Sequence, residues 1–156
     1  MYHYATFVPF LAAVFAVSLT GALFRPGPWY QTLRKPSWTP PGWLFGPVWS
    51  TLYVMIAVAG WLVWQREGLA PALAIWLAQL LVNASWSWVM FGRRQIAGAL
   101  ATIVLLWFCV VAFIWAAWPI SPTASLLFLP YLAWGTFAGA LNFTIWRMNS
   151  SVKAAA

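Results

Sequence analysis

The chain has 156 residues, of which 64% are hydrophobic and only 6% are charged. This composition excludes an ordinary soluble domain, in which roughly a quarter of the residues carry charge. The net charge of +7 does not indicate a nucleic-acid surface either, because the eight Lys and Arg residues are scattered between apolar runs and form no basic face. The sequence therefore predicts an integral, multi-pass membrane protein with no nucleic-acid partner.

Five apolar stretches each have about the 20 residues that a helix needs to cross a bilayer. Glycine, proline or charged residues end each stretch, as expected at helix ends. In chain order the predicted spans are Ala5–Phe24, Leu44–Trp64, Leu69–Phe91, Ile96–Trp118 and Thr123–Trp146. They predict an all-α membrane protein, a bundle of five transmembrane helices that forms a single domain over residues 1–156.

The cations are distributed unequally between the two ends of this predicted bundle. One end carries seven of the eight, namely Arg25, Arg34, Lys35, Arg93, Arg94, Arg147 and Lys153. The other end has Arg66 beside Glu67, which is the only acidic residue of the chain. If the protein lies in an inner membrane, the positive-inside rule places the C-terminus in the cytoplasm and the N-terminus outside.

The loop between the first two spans contains the stretch Lys35–Trp43, which reads KPSWTPPGW. Its three prolines fix φ and remove backbone donors, so this stretch is not expected to form a regular helix. Tryptophan favours a place where its ring is apolar and its N–H finds a partner. A stiff loop of this kind could be a membrane anchor or a lid over a pocket.

Polar side chains inside the spans need partners or a cavity, because unpaired polar groups are costly in lipid. Asn83 follows Gln79 by one helical turn in the third span, and Asn142 lies in the fifth. Aromatic residues inside the spans include Trp49, Tyr53, Trp76, Trp86, Trp107 and Trp134. Helix packing could explain any one of them, but fourteen tryptophans are too many for interfacial belts alone. The set predicts a cavity for a flat apolar ligand.

The groups that catalysis or metal binding would need are scattered. Glu67 is the sole carboxylate side chain, His3 is near the N-terminus, and Cys109 lies inside the fourth span. No general acid–base pair and no metal site with converging ligands can be assembled from them. We therefore expect no metal, no internal disulfide and no required cofactor.

Small residues recur at helix-packing spacing in two spans. Ala70, Ala74 and Ala78 follow one face of the third span, and Gly135 and Gly139 form a G-x-x-x-G in the fifth. Such stripes allow helices to approach closely, either within one bundle or between two copies. We expect a homodimer with the three alanines at its interface.

Several segments resemble the translocator protein family, also known as TspO/MBR or the peripheral-type benzodiazepine receptor family. Trp29–Tyr53, WYQTLRKPSWTPPGWLFGPVWSTLY, resembles the signature of that family. Further matches are AQLLVNASW at Ala78–Trp86, FGRRQ at Phe91–Gln95 and PYLAWGTFAGALNFTIWR at Pro130–Arg147. They cover nearly the whole chain in order. The resemblance implies a five-helix fold in a bacterial inner or outer membrane. The SWVMF that follows Trp86 departs from the family pattern, so the pocket floor or the pitch of the third span is expected to differ.

Members of the family bind porphyrins, haem-like tetrapyrroles, sterols and synthetic isoquinoline or benzodiazepine ligands. The resemblance therefore implies a lipid-embedded receptor for protoporphyrin or haem, acting in tetrapyrrole regulation or stress response. Two alternatives stay open. One is a transporter of porphyrin or sterol, and the other is a light- and oxygen-dependent porphyrin-degrading activity with Trp134 as a reaction partner.

The resemblance also implies which residues contact the ligand, and it makes the KPSWTPPGW loop part of a lid. The predicted ligand-binding residues are Trp29, Tyr30, Trp38, Trp49, Tyr53, Asn83, Trp86, Trp107, Trp134, Ala138 and Leu141. Arg25, Arg34 and Lys35 form a predicted rim that would pair with porphyrin carboxylates. A weak sterol-recognition pattern is matched by Leu141 and Arg147, with Phe143 in the place of its tyrosine.

Overall fold

The computed structural model describes residues 4–150, and every regular element in that range is helical. A 3₁₀ turn at Tyr4–Phe7 leads into α1 (Val8–Leu23), which is followed by α2 (Pro28–Thr32), α3 (Gly42–Glu67), α4 (Pro71–Ser87), a π-helical turn (Trp88–Gly92), α5 (Ile96–Ala117), α6 (Pro122–Leu127) and α7 (Leu129–Ser150). Five helical segments among these residues are long and apolar enough to cross a membrane. The prediction of a five-helix membrane bundle is confirmed.

Proline and glycine set the helix boundaries. Pro28, Pro71 and Pro122 stand in the first turn of their helices, where the missing N–H costs nothing. Gly68 ends α3 with a φ of 62°, a conformation that side chains rarely adopt. The stretch KPSWTPPGW is free of regular helix up to Pro41, and α3 begins directly after it.

The pitch of the third span changes at its end, in the segment Ser87–Phe91 that departs from the family pattern. The α-helical hydrogen bonding of α4 gives way to a π-helical turn over Trp88–Gly92. The wider turn shifts the rotational setting of the residues that follow, Phe91 among them.

The half of the bundle far from the Arg25–Pro41 loop is tightly packed. The indole N–H of Trp76 donates to the carbonyl of Ile56 at 2.8 Å, and its ring meets Phe10 edge-on at 5.2 Å. The hydroxyl of Ser125 donates to the carbonyl of Ile114 at 2.8 Å and so fastens α6 to α5. Fully buried residues of this core are Ile56, Ala57, Ala59, Val63, Phe113, Ala117, Ala124 and Phe128.

Polar contacts place the described ends of the chain at opposite ends of the bundle. The hydroxyl of Thr6 accepts from the Trp61 indole at 3.0 Å and the Gln65 amide at 2.6 Å, near the end of α3. At the other end, the Asn149 side chain accepts from the Arg34 amide at 3.0 Å and donates to its carbonyl at 2.9 Å. The predicted cationic loops therefore lie at one end, while Lys153 and His3 lie outside the described residues. Which side of the membrane each end faces stays a prediction.

We predict that Gly60→Ala destabilises the packed half. A Cβ atom at Gly60 would lie 2.5 Å from Cε2 of Trp76 and 3.0 Å from the ring of Phe10. The indole must then move and lose its bond to Ile56, which should cost about 1–3 kcal/mol. Gly135→Ala is the matched control, because no atom lies within 4 Å of its added Cβ. Thermal unfolding in detergent should show a lower midpoint for Gly60→Ala only; equal midpoints would contradict the packing argument.

Candidate ligand-binding site

A cavity of about 330 Å³ lies in the half of the bundle nearest the loop. Residues from α1, α3, α4, α5 and α7 surround it. Its lining consists of Ser18, Gly21, Phe45, Gly46, Trp49, Ser50, Tyr53, Asn83, Trp86, Ser87, Ile103, Leu106, Tyr131, Trp134, Gly135 and Ala138. The volume is at the lower end of the roughly 300–1,000 Å³ that small-molecule sites occupy.

Aromatic residues make up six of the sixteen that line the cavity. Trp49 and Tyr53 are one turn apart on α3, with ring centroids at 5.4 Å. Trp49 also meets Tyr131 edge-on at 6.0 Å, and Phe45 meets Trp134 at 5.5 Å. These contacts join α3 to α7 around the open space. The result is a flat-sided, largely apolar chamber that suits a planar ligand.

A chain of hydrogen bonds crosses the inner wall of the cavity. The Tyr53 hydroxyl donates to Oδ1 of Asn83 at 3.2 Å, and Nδ2 of Asn83 donates to the Tyr131 oxygen at 2.6 Å. Tyr131 in turn donates to Oε1 of Gln79 at 3.1 Å. The direction of each bond follows from the donors and acceptors available. One amide N–H of Asn83 has no role in this chain.

Two indole N–H groups belong to the cavity wall and have no protein partner. Nε1 of Trp86 and Nε1 of Trp134 are buried, and neither has a hydrogen-bond acceptor among residues 4–150. A buried donor without an acceptor costs roughly 1–3 kcal/mol. Because both nitrogens are covered, either ring would have to turn before its N–H could reach an acceptor on a ligand. Among the described residues that line the cavity, these two donors are the buried side-chain polar groups left without a partner.

The loop reaches the cavity wall through intermediate phenylalanines. Tyr30 packs edge-on against Phe91 at 5.4 Å, and Phe91 packs against Trp86 at 5.5 Å. On the other side of the cavity, Trp38 meets Phe137 at 5.7 Å, and Phe137 meets Trp134 at 5.5 Å. The predicted lid residues Tyr30 and Trp38 thus form an outer aromatic layer and do not line the cavity.

The three predicted rim cations lie apart from the cavity. The ammonium of Lys35 donates to the carbonyls of Tyr30, Gln31 and Leu33 at 2.8, 3.3 and 3.1 Å. It also lies 4.8 Å from the centroid of the Tyr30 ring. Burial raises the pKa of the Tyr30 phenol above its usual value of 10.0, so the ring is neutral and the contact is cation–π.

The other two rim residues make different contacts. Nε of Arg25 donates to the carbonyl of Ala22 at 2.9 Å at the end of α1. Arg34 lines a separate cleft beside the loop, together with Trp29. A role for Arg25, Arg34 or Lys35 in pairing with a ligand stays a prediction.

Four further predicted residues, Trp107, Leu141, Phe143 and Arg147, also lie outside the cavity. Trp107 donates its N–H to the Thr136 hydroxyl at 2.9 Å and lines an outward-facing groove between α5 and α7. Leu141 is buried, whereas Phe143 is exposed and has the Arg147 guanidinium 5.8 Å from its ring. The members of the sterol pattern therefore do not share one helix face.

Six of the predicted ligand-binding residues do come together at the cavity, namely Trp49, Tyr53, Asn83, Trp86, Trp134 and Ala138. Sequence reasoning missed Tyr131 as a member of the wall and Phe91 and Phe137 as its outer support. Tyr131 precedes Trp134 by three residues and Phe137 follows it by three, so helical spacing was a usable signal for both.

Comparison with known proteins places the chain among relatives that share its length and order of segments. The model of the TspO/MBR family matches residues 7–147. The chain belongs to the TspO/MBR family. Protein CrtK of Rhodobacter capsulatus is 40% identical to it, over 94% of each chain. The tryptophan-rich sensory protein of Cereibacter sphaeroides is 44% identical, over 94% of this chain and 92% of that protein. The human translocator protein is 40% identical, over 78% of this chain and 75% of that protein.

We predict that Tyr131→Phe destabilises this TspO/MBR protein more than Tyr53→Phe does. Tyr131 is fully buried and bonds both Asn83 and Gln79, so its loss leaves a buried donor and a buried acceptor without partners. The expected cost is roughly 1–3 kcal/mol for each group. Tyr53 is partly exposed and makes one longer bond, which makes it the matched control. Chemical unfolding in detergent would measure both; a smaller effect for Tyr131→Phe would contradict the role assigned to the network.

Proposed function

We propose that the protein is a membrane receptor for flat aromatic ligands that carry hydrogen-bond acceptors, with protoporphyrin IX and haem as the physiological class. The observation that carries this proposal is the pair of partnerless indole N–H groups, of Trp86 and Trp134, in a cavity wall that is largely apolar and rich in aromatic rings. Stacked rings provide affinity for a planar molecule, and the two donors select one that has a carbonyl, a carboxylate or a ring nitrogen.

The same chemistry fits the synthetic isoquinoline and benzodiazepine ligands associated with the family. These molecules are smaller than a tetrapyrrole and match the cavity of about 330 Å³ more closely. A tetrapyrrole would need additional room. We propose that the room comes from movement of the loop, in which Tyr30 leaves Phe91 and Trp38 leaves Phe137. The loop would then act as the predicted lid.

The packing of the bundle favours binding over transport, because one half contains the cavity and the other half is tightly packed. The cavity lies in the loop-side half, and below it the core around Ile56, Gly60 and Trp76 leaves no open path. A ligand that entered from the loop side would have to unpack this core in order to cross. We therefore propose a receptor that has one open end.

The proposed pocket is tested by comparing Trp134→Ala with Lys35→Ala. Truncating a wall indole should weaken protoporphyrin IX binding by roughly 2 kcal/mol, or about 30-fold in Kd. Lys35→Ala should have a smaller effect, because its ammonium is already bound to loop carbonyls. High salt should have little effect, since most of the affinity comes from apolar contacts.

The measurement is quenching of tryptophan fluorescence by the porphyrin at low and high salt. Trp43→Phe serves as the control for loss of one fluorophore, because Trp43 is 72% exposed and does not line the cavity. A dominant effect of Lys35→Ala and of salt, with normal binding by Trp134→Ala, would place the ligand on the surface and refute the proposal.

Light-dependent degradation of bound porphyrin is a second candidate, because three oxidisable indoles, Trp49, Trp86 and Trp134, line one cavity. Trp134→Phe keeps an aromatic wall but removes one indole. If degradation depends on this residue, illumination in oxygen should bleach the porphyrin band of the wild type and spare that of the variant, while both bind equally. Equal bleaching in both proteins would count against a reaction at Trp134.

We further propose a homodimer through the outer face of α4. Ala74 and Ala78 are exposed there, beside the exposed Leu77 and Leu81, whereas Ala70 precedes the helix and is buried. The close approach would therefore involve Ala74 and Ala78 more than Ala70.

Ala74→Leu should reduce the fraction of dimer that is cross-linked in membranes, because the added side chain separates the two backbones. Ala16→Leu, on the exposed face of α1, is the matched control. An unchanged dimer fraction in Ala74→Leu would place the interface elsewhere.

A further inference from the structure

A second cavity, of about 750 Å³, opens at the cationic end of the bundle, and none of its residues lines the aromatic cavity. The loop, the start of α5 and the end of α7 surround this cleft. Its lining consists of Trp29, Thr32, Leu33, Arg34, Arg94, Gln95, Ile96, Ala97, Gly98, Trp146, Asn149 and Ser150. The cleft lies where helices meet loops, at the level that lipid headgroups occupy around a spanning bundle.

The cleft carries two arginines and no acidic side chain. Glu67, the only acidic residue of the chain, lies at the far end of α3. Arg34 is held in place through its backbone, which exchanges two hydrogen bonds with the Asn149 side chain. The two positive charges repel each other when the cleft is empty. An anion bound between them is attracted by both and offsets that repulsion. Guanidinium groups bind phosphate oxygens in a bidentate manner.

Arg94 adopts a backbone conformation that is unfavourable for its type. Its φ is 55°, and it is the only residue other than glycine with positive φ between residues 4 and 150. Glycine would occupy this position without strain. An arginine held there at a conformational cost indicates that its side chain has a use, since such outliers cluster at ligand sites.

An apolar groove of about 280 Å³ lies below the cleft on the same seam between α5 and α7. Its residues include Ile103, Trp107, Gly139 and Ala140. They lie five to eleven residues from the cleft residues along α5 and α7, which is roughly 8–17 Å deeper at about 1.5 Å per residue. The groove is therefore at acyl-chain depth.

We propose that this seam is a binding site for one anionic phospholipid, separate from the aromatic cavity. Arg34 and Arg94 hold the phosphodiester of the headgroup in the cleft, and one acyl chain runs down the groove beside Trp107. Trp29 and Trp146 line the cleft, and tryptophan favours the membrane interface. The lipid would join the loop to α5 and α7.

The test uses the full chain, reconstituted in vesicles of equal phosphatidylglycerol and phosphatidylcholine and extracted in a mild non-ionic detergent. Native mass spectrometry then counts the retained lipids. The wild type should retain phosphatidylglycerol in preference to phosphatidylcholine. Arg34→Gln and Arg94→Gly should each lower the retained phosphatidylglycerol about fivefold, as expected for loss of one cation near an anionic lipid. Arg94→Gly should unfold at the same or a higher temperature, because it relieves the positive φ.

Arg93→Gln is the matched control, since it removes the same charge from the same turn. The Arg93 guanidinium lies 5.2 Å from the Trp88 ring and does not line the cleft, so lipid retention should be unchanged. An equal loss with Arg93→Gln, or no loss with Arg34→Gln and Arg94→Gly, would overturn the proposal. Displacement of phosphatidylglycerol by excess inorganic phosphate would assign the cleft to free anions and also overturn it.

The acyl-chain part of the site has a test of its own. Ala140→Trp should fill the groove and lower phosphatidylglycerol retention without changing the cleft, because Ala140 is exposed and lines the groove only. Ala16→Trp, on the exposed face of α1, should leave retention unchanged. Equal retention in both variants would show that the chain does not follow the α5–α7 seam.

Discussion

The hydrogen-bond chain from Tyr53 through Asn83 and Tyr131 to Gln79 is the constraint on which the ligand site depends. In a bilayer no water is available to satisfy these four side chains, and each bonds a partner on another helix. The chain thereby fixes α3, α4 and α7 at one separation and one rotation. The aromatic rings on these three helices then face a common space, and a cavity can persist where three helices would otherwise close onto each other.

The bundle divides the tasks of stability and binding between its two halves. On one side, Gly60 allows Trp76 to lie against α3, and packed contacts of this kind are what associates helices in lipid. On the other side, Phe45 contacts Trp134, and Trp49 contacts Tyr131, around the cavity. These edge-on ring pairs hold the side chains around the cavity without filling it. The packed half therefore supplies the stability that the hollow half lacks.

Much of this architecture could be predicted from the sequence, because span length and hydropathy are local properties of the chain. The five spans and six cavity residues followed from spacing and from the family motifs. The parts that could not be predicted depend on how helices are rotated against each other. Trp107 belongs to an apolar span with no polar face to orient it, and it turns toward the lipid-facing groove. Lys35 looked like a free cation, but the turn at Tyr30–Leu33 directs three carbonyls at its ammonium.

The rings that separate the loop from the cavity determine how the site can respond to a ligand. Tyr30 and Trp38 do not touch the chamber; each acts on a wall indole through one phenylalanine, Phe91 or Phe137. A ligand that rotates Trp86 or Trp134 toward its own acceptor must shift these phenylalanines and thereby disturb the packing of the loop. Occupancy of a chamber within the membrane would in this way alter the surface at the cationic end of the bundle, which is the behaviour expected of a receptor.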